Sequence, residues 1–215
     1  VNDLHKKKIA VIYINNDWGV VAKDNFIKGV QDAGGEIVDV EAYLPEQGKD
    51  FSAILTKIRD KNPDMLYLGC MYTDGALIAQ QTRKMNFNID LIGTASLYSD
   101  ELLKLGGSAV EGFHMTCSFF PGDQRPEVQD FVKRYNAKYG KNPTMFAAQA
   151  YDAANMVIKA LKDGATDRKS LRDKLAGIKD FAGVTGVTSF DENRNVKKEI
   201  SKLVIKDGKY TQFTN

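Results

Sequence analysis

The sequence predicts an α/β protein built on a doubly wound parallel sheet, and three observations carry that prediction. Short apolar, β-branched runs recur up to Cys117, each followed by an amphipathic helical stretch. The connections are short, with turn or capping residues at each junction, as right-handed crossovers between parallel strands require. The composition is ordinary for a globular chain. Its 215 residues, 43% apolar and 27% charged, suffice for one large domain or two small ones without disulfides or metals.

The elements follow in order. Ile9-Ala10-Val11-Ile12-Tyr13-Ile14 is a continuous apolar run, as expected of a strand buried on both faces. Asn15-Asn16-Asp17 supplies side-chain oxygens to cap a helix that carries Trp18, Val21, Ile27 and Val30 and stops at Gly34-Gly35. Residues 36–43 alternate and read as a second strand. Asp50 caps the next helix, with Phe51, Ile54, Leu55 and Ile58 on one face, and Asn62-Pro63 ends it. Met65-Leu66-Tyr67-Leu68 is the third strand, and Asp74 is expected to open a helix with Leu77, Ile78 and Met85 inward. Residues 89–93 form strand four, Ser99 caps a short helix that Gly106-Gly107 breaks, and residues 112–117 form strand five.

After Phe119-Phe120-Pro121-Gly122-Asp123 the organisation changes. Helices are predicted over 126–140, opened by Pro126 at the favoured first position, then over 144–162 and 170–176. A strand over 183–190, a turn at Asp191-Glu192-Asn193-Arg194 and a strand over 200–206 follow, and Asp207-Gly208 sets a hairpin to 210–213. Three consecutive helices with apolar stripes need a surface to bury against, and the first sheet already has its own helices. The simplest resolution is a second α/β lobe whose strands lie outside this chain.

Charge and motifs exclude several functions. Thirty basic against twenty-eight acidic residues give +2, which does not indicate a nucleic-acid partner. Lys6-Lys7-Lys8 and Lys197-Lys198 are short, solvated runs. No apolar run approaches the ~20 residues that span a bilayer. The start of the chain is polar, with no leader-like run, and leaves the compartment open. Cys70 and Cys117 end strands three and five. With strand four between them their Cα atoms lie ~10 Å apart, beyond disulfide reach, so buried free thiols are the default.

Ligands of open parallel sheets bind beyond the carboxyl ends of the strands. Here those ends carry Asn15-Asn16-Asp17-Trp18-Gly19, Cys70-Met71-Tyr72-Thr73-Asp74, Thr94-Ala95-Ser96 and Ser118-Phe119-Phe120. The first turn is too bulky for a pyrophosphate, and Gly69-Cys70 stands where a receiver domain needs a phospho-accepting Asp. There is no G-x-S-x-G elbow, and His5 and His114 are not placed as catalytic bases. The cysteines have no clustered metal ligands beside them. No enzyme, cofactor or metal is therefore expected. Trp18 reads either as an apolar face offered to a ligand or as a helix staple. Phe119-Phe120 reads either as core or as a wall between lobes.

The ordered set Ile9-Ala10-Val11-Ile12-Tyr13, Asn16-Asp17-Trp18-Gly19, Gly48-Lys49-Asp50-Phe51-Ser52, Asn62-Pro63-Asp64 and Ala150-Tyr151-Asp152-Ala153 resembles the branched-chain amino acid type of substrate-binding protein. These are the type I periplasmic receptors that deliver solutes to ABC transporters. The resemblance runs through essentially the whole chain. It implies two α/β lobes that clamp a small ligand in an interlobe cleft by hinge closure. On that pattern residues 1–118 and 184–215 are lobe two, residues 122–180 are helices of lobe one, and the N-terminal part of lobe one is absent.

The resemblance also implies partners and site residues. The partners are a small amino-acid-like or carboxylate ligand, an ABC transporter permease in the membrane, and a missing lobe-one segment or another copy covering the 126–176 helices. The setting is extracytoplasmic, in the periplasm or as a cell-surface lipoprotein. The family's pocket aromatics fall on Trp18, on Met71 with Tyr72 beside it, and on Phe146. The acid that receives a ligand's α-ammonium falls on Ala95, flanked by Thr94 and Ser96. That departure points away from a standard α-amino acid and toward an aromatic or aliphatic carboxylate, with Asp17 or Asp74 as substitutes for the missing acid. A ligand-sensing domain of a transcription regulator or sensor receptor with the same fold is the alternative.

Overall fold

The structure, a computed structural model, describes residues 1–46 and 49–214. Gly48, quoted above, lies outside them. The chain divides into two compact units, residues 1–116 with 202 onward, and residues 117–201. The first unit opens with β1 (Lys8–Ile14), α1 (Asp17–Asp32), β2 (Glu36–Tyr43), α2 (Ser52–Arg59) and β3 (Met65–Gly69). It continues through α3 (Tyr72–Lys84), β4 (Asp90–Gly93), α4 (Asp100–Gly106) and β5 (His114–Cys117). Short 3-10 turns at Ala95–Leu97 and Gly107–Val110 flank α4.

β1 lies between the edge strand β2 and the central strand β3 of the parallel sheet. It pairs with β2 from Lys8↔Glu36 to Ile14↔Tyr43, and with β3 from Ile9↔Met65 to Tyr13↔Gly69. β4 then pairs with β3, and β5 with β4, both parallel. Every residue of β3 is buried, as a continuous apolar run in a sheet covered on both faces should be. On one face Ile9, Val11, Met65 and Tyr67 pack with Val30 of α1, and Phe26 stacks on Tyr67 at 3.8 Å between ring centroids. Leu55, Ile58, Ile78 and Leu102, from α2, α3 and α4, are fully buried.

The second unit contains α5 (Pro126–Tyr139), α6 (Met145–Lys162), α7 (Arg168–Ala176), β6 (Phe181–Gly183), β7 (Gly186–Phe190) and β8 (Val196–Lys197). Phe119, Val128, Phe131, Ala148 and Val184 form its core, which places Phe119 in packing within this unit. Thr144 caps α6, its hydroxyl accepting from Ala147 N at 3.2 Å, and Asp167 caps α7 through a reciprocal bond pair with Ser170.

Two expectations are corrected here. The single strand expected over 183–190 is a hairpin, in which β6 and β7 pair antiparallel around Val184-Thr185. The expected grouping of 184–201 with the parallel sheet also fails, because β6, β7 and β8 form a separate three-stranded sheet in the second unit. The physical cause is Asp152 of α6, which holds the hairpin turn as described below. The chain returns to the first unit with β9 (Ser201–Lys206) and β10 (Lys209–Gln212), an antiparallel pair joined at Asp207-Gly208. The complete large sheet runs β10-β9-β5-β4-β3-β1-β2. No helix among the described residues is long and apolar enough to cross a membrane.

Candidate functional site

The strand order puts a topological switch between β1 and β3. From β1 the chain moves outward to β2, and from β3 it moves the other way to β4. Crevices in open α/β sheets form at the carboxyl ends of strands where the winding reverses. At the end of β1 the Asn16 side chain accepts from Gly19 N at 2.8 Å and starts α1 almost at once. Gly19 permits that abrupt turn, since a Cβ there would lie 1.9 Å from the carbonyl oxygen of Ile14. Trp18 is thereby fixed in the first turn of α1 at the sheet's edge, 41% exposed.

At the end of β3 the chain passes buried Cys70 and reaches Met71, which is 43% exposed, and half-buried Tyr72. Beside it, beyond β4, Ser96 donates its hydroxyl to the Cys70 carbonyl at 2.7 Å. The Thr94 and Ser96 hydroxyls lie 2.8 Å apart, so with the Ser96 proton committed, Thr94 donates to Ser96. These bonds tie the β3 and β4 loops together and use both hydroxyl protons. Ala95, half-buried between them, presents only a methyl group. Trp18, Met71, Tyr72, Ala95 and Ser96 thus all follow the carboxyl ends of β1, β3 and β4, which are neighbours in the sheet.

Asp74 does something other than expected. α3 begins at Tyr72 with no side-chain cap, and Asp74, 5% exposed, lies within its first turn. The Tyr43 hydroxyl donates to one of its oxygens at 2.7 Å, and the Lys49 ammonium lies 2.9 Å from the other. This corrects the reading of Asp74 as a helix cap, and it leaves Asp74 committed rather than free for a ligand ammonium. Asp17 is exposed. The pairing of Tyr43 and Lys49 with Asp74 carried no signal in the sequence, because 31 residues separate Tyr43 from Asp74 and no local pattern links them.

Ionisation around this edge is suppressed. Burial, reinforced by Cys70 and Asp74 nearby, pushes the Tyr43 phenol well above its ordinary value. Burial likewise raises the Cys70 thiol, with Asp74 adding to it, and pushes Cys117 up to about 11. Both cysteines are free, buried and protonated at neutral pH. Burial lowers the His114 imidazole, which packs edge-on to Phe213 at 5.0 Å. His5 is exposed. No group of three or more His, Cys, Asp or Glu among the described residues is arranged to hold a metal ion.

Phe146 belongs to the second unit, in the first turn of α6, and is 71% exposed. Two turns on, the Asp152 carboxylate accepts from Val184 N at 2.9 Å, Thr185 N at 2.8 Å and the Thr185 hydroxyl at 2.6 Å. The close fit requires glycine at 183, where a Cβ would lie 2.4 Å from an Asp152 oxygen. This gives the Ala150-Tyr151-Asp152-Ala153 segment a structural purpose: its acid organises the β6–β7 turn.

Comparison with known proteins agrees with this architecture. A family profile described as periplasmic binding protein matches residues 1–208. The leucine-, isoleucine-, valine-, threonine- and alanine-binding protein of Pseudomonas aeruginosa is 25% identical over 194 residues, covering 89% of this chain and 51% of its own length. The crystal structure of a putative branched-chain amino acid ABC transporter protein from Rhodospirillum rubrum superposes with a TM-score of 0.89 at 34% identity. That match covers 97% of this chain and 61% of the other. A leucine-binding protein from Thermotoga maritima gives a TM-score of 0.87 at 28% identity, with 99% and 61% covered. The chain spans about half the length of the curated relatives it matches. These relatives are substrate-binding proteins, not enzymes. With its sheet order and a family match through residue 208, the chain belongs to the periplasmic binding protein family, among relatives named for binding branched-chain amino acids.

Proposed function

We propose that the protein is the extracytoplasmic solute-binding component of an ABC importer, and that its ligand is a small carboxylate lacking an α-ammonium group. The observation that supports this most directly is the carboxyl edge of the first unit. Trp18 and Met71 stand there 41% and 43% exposed, just after the two strands that flank the topological switch. Large apolar side chains at the mouth of such a crevice suit an aliphatic or aromatic ligand body. Tyr72, Ala95 and Ser96 complete this half of the site.

The charge inventory supports the ligand class. An ammonium buried against this edge would meet the Ala95 methyl and two neutral hydroxyl oxygens, with no carboxylate at that position to balance its charge. Asp74 is held by Lys49 and Tyr43. A buried ammonium with no carboxylate partner costs roughly 3–5 kcal/mol relative to a paired one. The relatives named for leucine, isoleucine and valine set the competing expectation.

The missing coverage of α6 bears on the clamp. Its exposed face carries Phe146, Val157, Ile158 and Leu161. We assign to that face the remaining lobe-one segment, supplied by a longer polypeptide of the relatives' length. Titration calorimetry on protein of full family length decides the ligand class. Tight binding of aromatic or branched aliphatic carboxylates, with the matching α-amino acids at least tenfold weaker (about 1.4 kcal/mol), is the expected result. Tight binding of leucine, isoleucine or valine would overturn it.

A further inference from the structure

We propose that a groove on the second unit, between α7 and the turn after β7, is a docking site for an acidic, apolar-centred segment of a protein partner. The groove has a volume of about 360 Å3, and none of the residues that line it is assigned to the ligand. Its floor is apolar, made by Leu171 and Leu175 of α7 and Phe190 at the end of β7, all half-buried. Its rim is cationic, made by Arg168, Arg172 and Arg194.

Two of the three charges on this rim, those of Arg168 and Arg194, are not neutralised within the unit. α7 carries Arg168, Lys169, Arg172 and Lys174 against Asp173 alone. Asp173 pairs with its neighbour Arg172 at 2.6 Å. Asp167 is used by Ser170 at the helix cap, and Asp191 by the amides of Asn193 and Asn195 in the turn. Arg168 and Arg194 form no ion pair among the described residues. Guanidinium groups are the side chains best shaped to take carboxylates two bonds at a time.

Complementarity therefore selects the occupant. The floor takes a large apolar side chain, and the rim takes carboxylates on either side of it in the same segment. The slot is walled only by α7 and the 190–194 segment, so a small amphiphile would keep much of its apolar surface in water. A peptide covers the slot with its own flanking backbone. The surface also differs in kind from the exposed face of α6, whose Phe146, Val157, Ile158 and Leu161 are uncharged like the centre of a permanent interface. A slot whose rim carries two unpaired arginines, Arg168 and Arg194, has the character of a transient, electrostatically steered contact.

The test is fluorescence anisotropy of the 215-residue chain with a fluorescein-labelled hexapeptide, Glu-Asp-Leu-Phe-Glu-Asp. Saturable binding is expected, weakened about tenfold by R168E combined with R194E. K169E combined with K174E makes the same change in net charge on side chains that do not line the groove, and is expected to stay within about twofold. All four positions are exposed, and circular dichroism verifies that both variants fold. Equal weakening by the two double variants would overturn the proposal, as would the absence of saturable binding. So would failure of the peptide alongside binding to phosphatidylglycerol vesicles that R168E with R194E abolishes, which would make the groove a membrane-surface site.

Discussion

In the first unit every residue of β3 is buried, whereas in the second unit α7 buries none of its residues. The same contrast holds for the longest helices of each. α1 lies across a sheet and contributes Phe26 and Val30 to one core with β1 and β3. α6 buries Ala148, Asp152, Met156 and Ala160 on one side while Val157, Ile158 and Leu161 stay exposed on the other. A sheet unit that closes its own core can be understood from its own residues. A helical unit with an uncovered apolar face cannot be understood in the same way, and the proposed lobe-one segment is assigned to that face.

Core truncation is the strongest way to sharpen this contrast. Leu66→Ala, at a fully buried position in β3, is expected to destabilise the chain by roughly 2–5 kcal/mol in urea unfolding. Leu161→Ala, at a site 51% exposed, is expected to cost no more than about 0.5 kcal/mol in the same chain. In protein of the relatives' full length the Leu161 substitution is expected to rise to about 2 kcal/mol. If it stays near zero there, the face is not covered by the proposed lobe-one segment.

A smaller effect separates the units by their polar interiors. Asp152→Ala strips the acceptor from Val184 N, Thr185 N and the Thr185 hydroxyl, and is expected to cost roughly 1–3 kcal/mol. Hydrogen exchange locates the damage: amides of β6 and β7 should lose protection while those of β1 and β3 keep it. Uniform loss across both units would show that they unfold as one.

The smallest effect is a pH dependence seated in the first unit. Asp64 accepts from Lys8 N at 2.9 Å and Lys7 N at 3.0 Å, and these bonds hold its carboxyl below the ordinary carboxylate value. The unfolded chain therefore binds a proton here at higher pH than the folded chain does. The contribution is complete above the ordinary carboxylate range and is lost as pH falls through it to the lower folded value. Asp64→Asn is expected to flatten the acid limb of a stability profile without changing its slope near neutrality. An unchanged acid limb would show that the bonds to β1 do not stabilise the fold.

Most of the first unit was legible in the sequence because its signals are local. The Asn16 cap, the alternation of 36–43, the apolar run of β3 and the Ser99 cap each depend on residues within a turn or two. The candidate site was legible to the same extent: strand ends can be read, so Trp18, Met71, Tyr72, Ala95 and Ser96 could be named together. The fate of their protons and charges could not. Asp74 reads as a helix opener in one dimension and becomes the acceptor of Tyr43 and Lys49 in three.

The sequence by itself determined the α/β class, the positions of the parallel strands and helices, and the residues that reach the carboxyl edge of the sheet. Periodicity and capping are set by chemistry between near neighbours, and the chain carries that information wherever it goes. Only the tertiary structure decided that 183–190 is a hairpin, that 184–201 belongs with the helices, and that Asp74 is spent inside the first unit. Those outcomes turn on single hydrogen bonds between residues about thirty positions apart, such as Asp152 to Thr185. Bonds at that separation exist only once packing has brought their partners within 3 Å of each other.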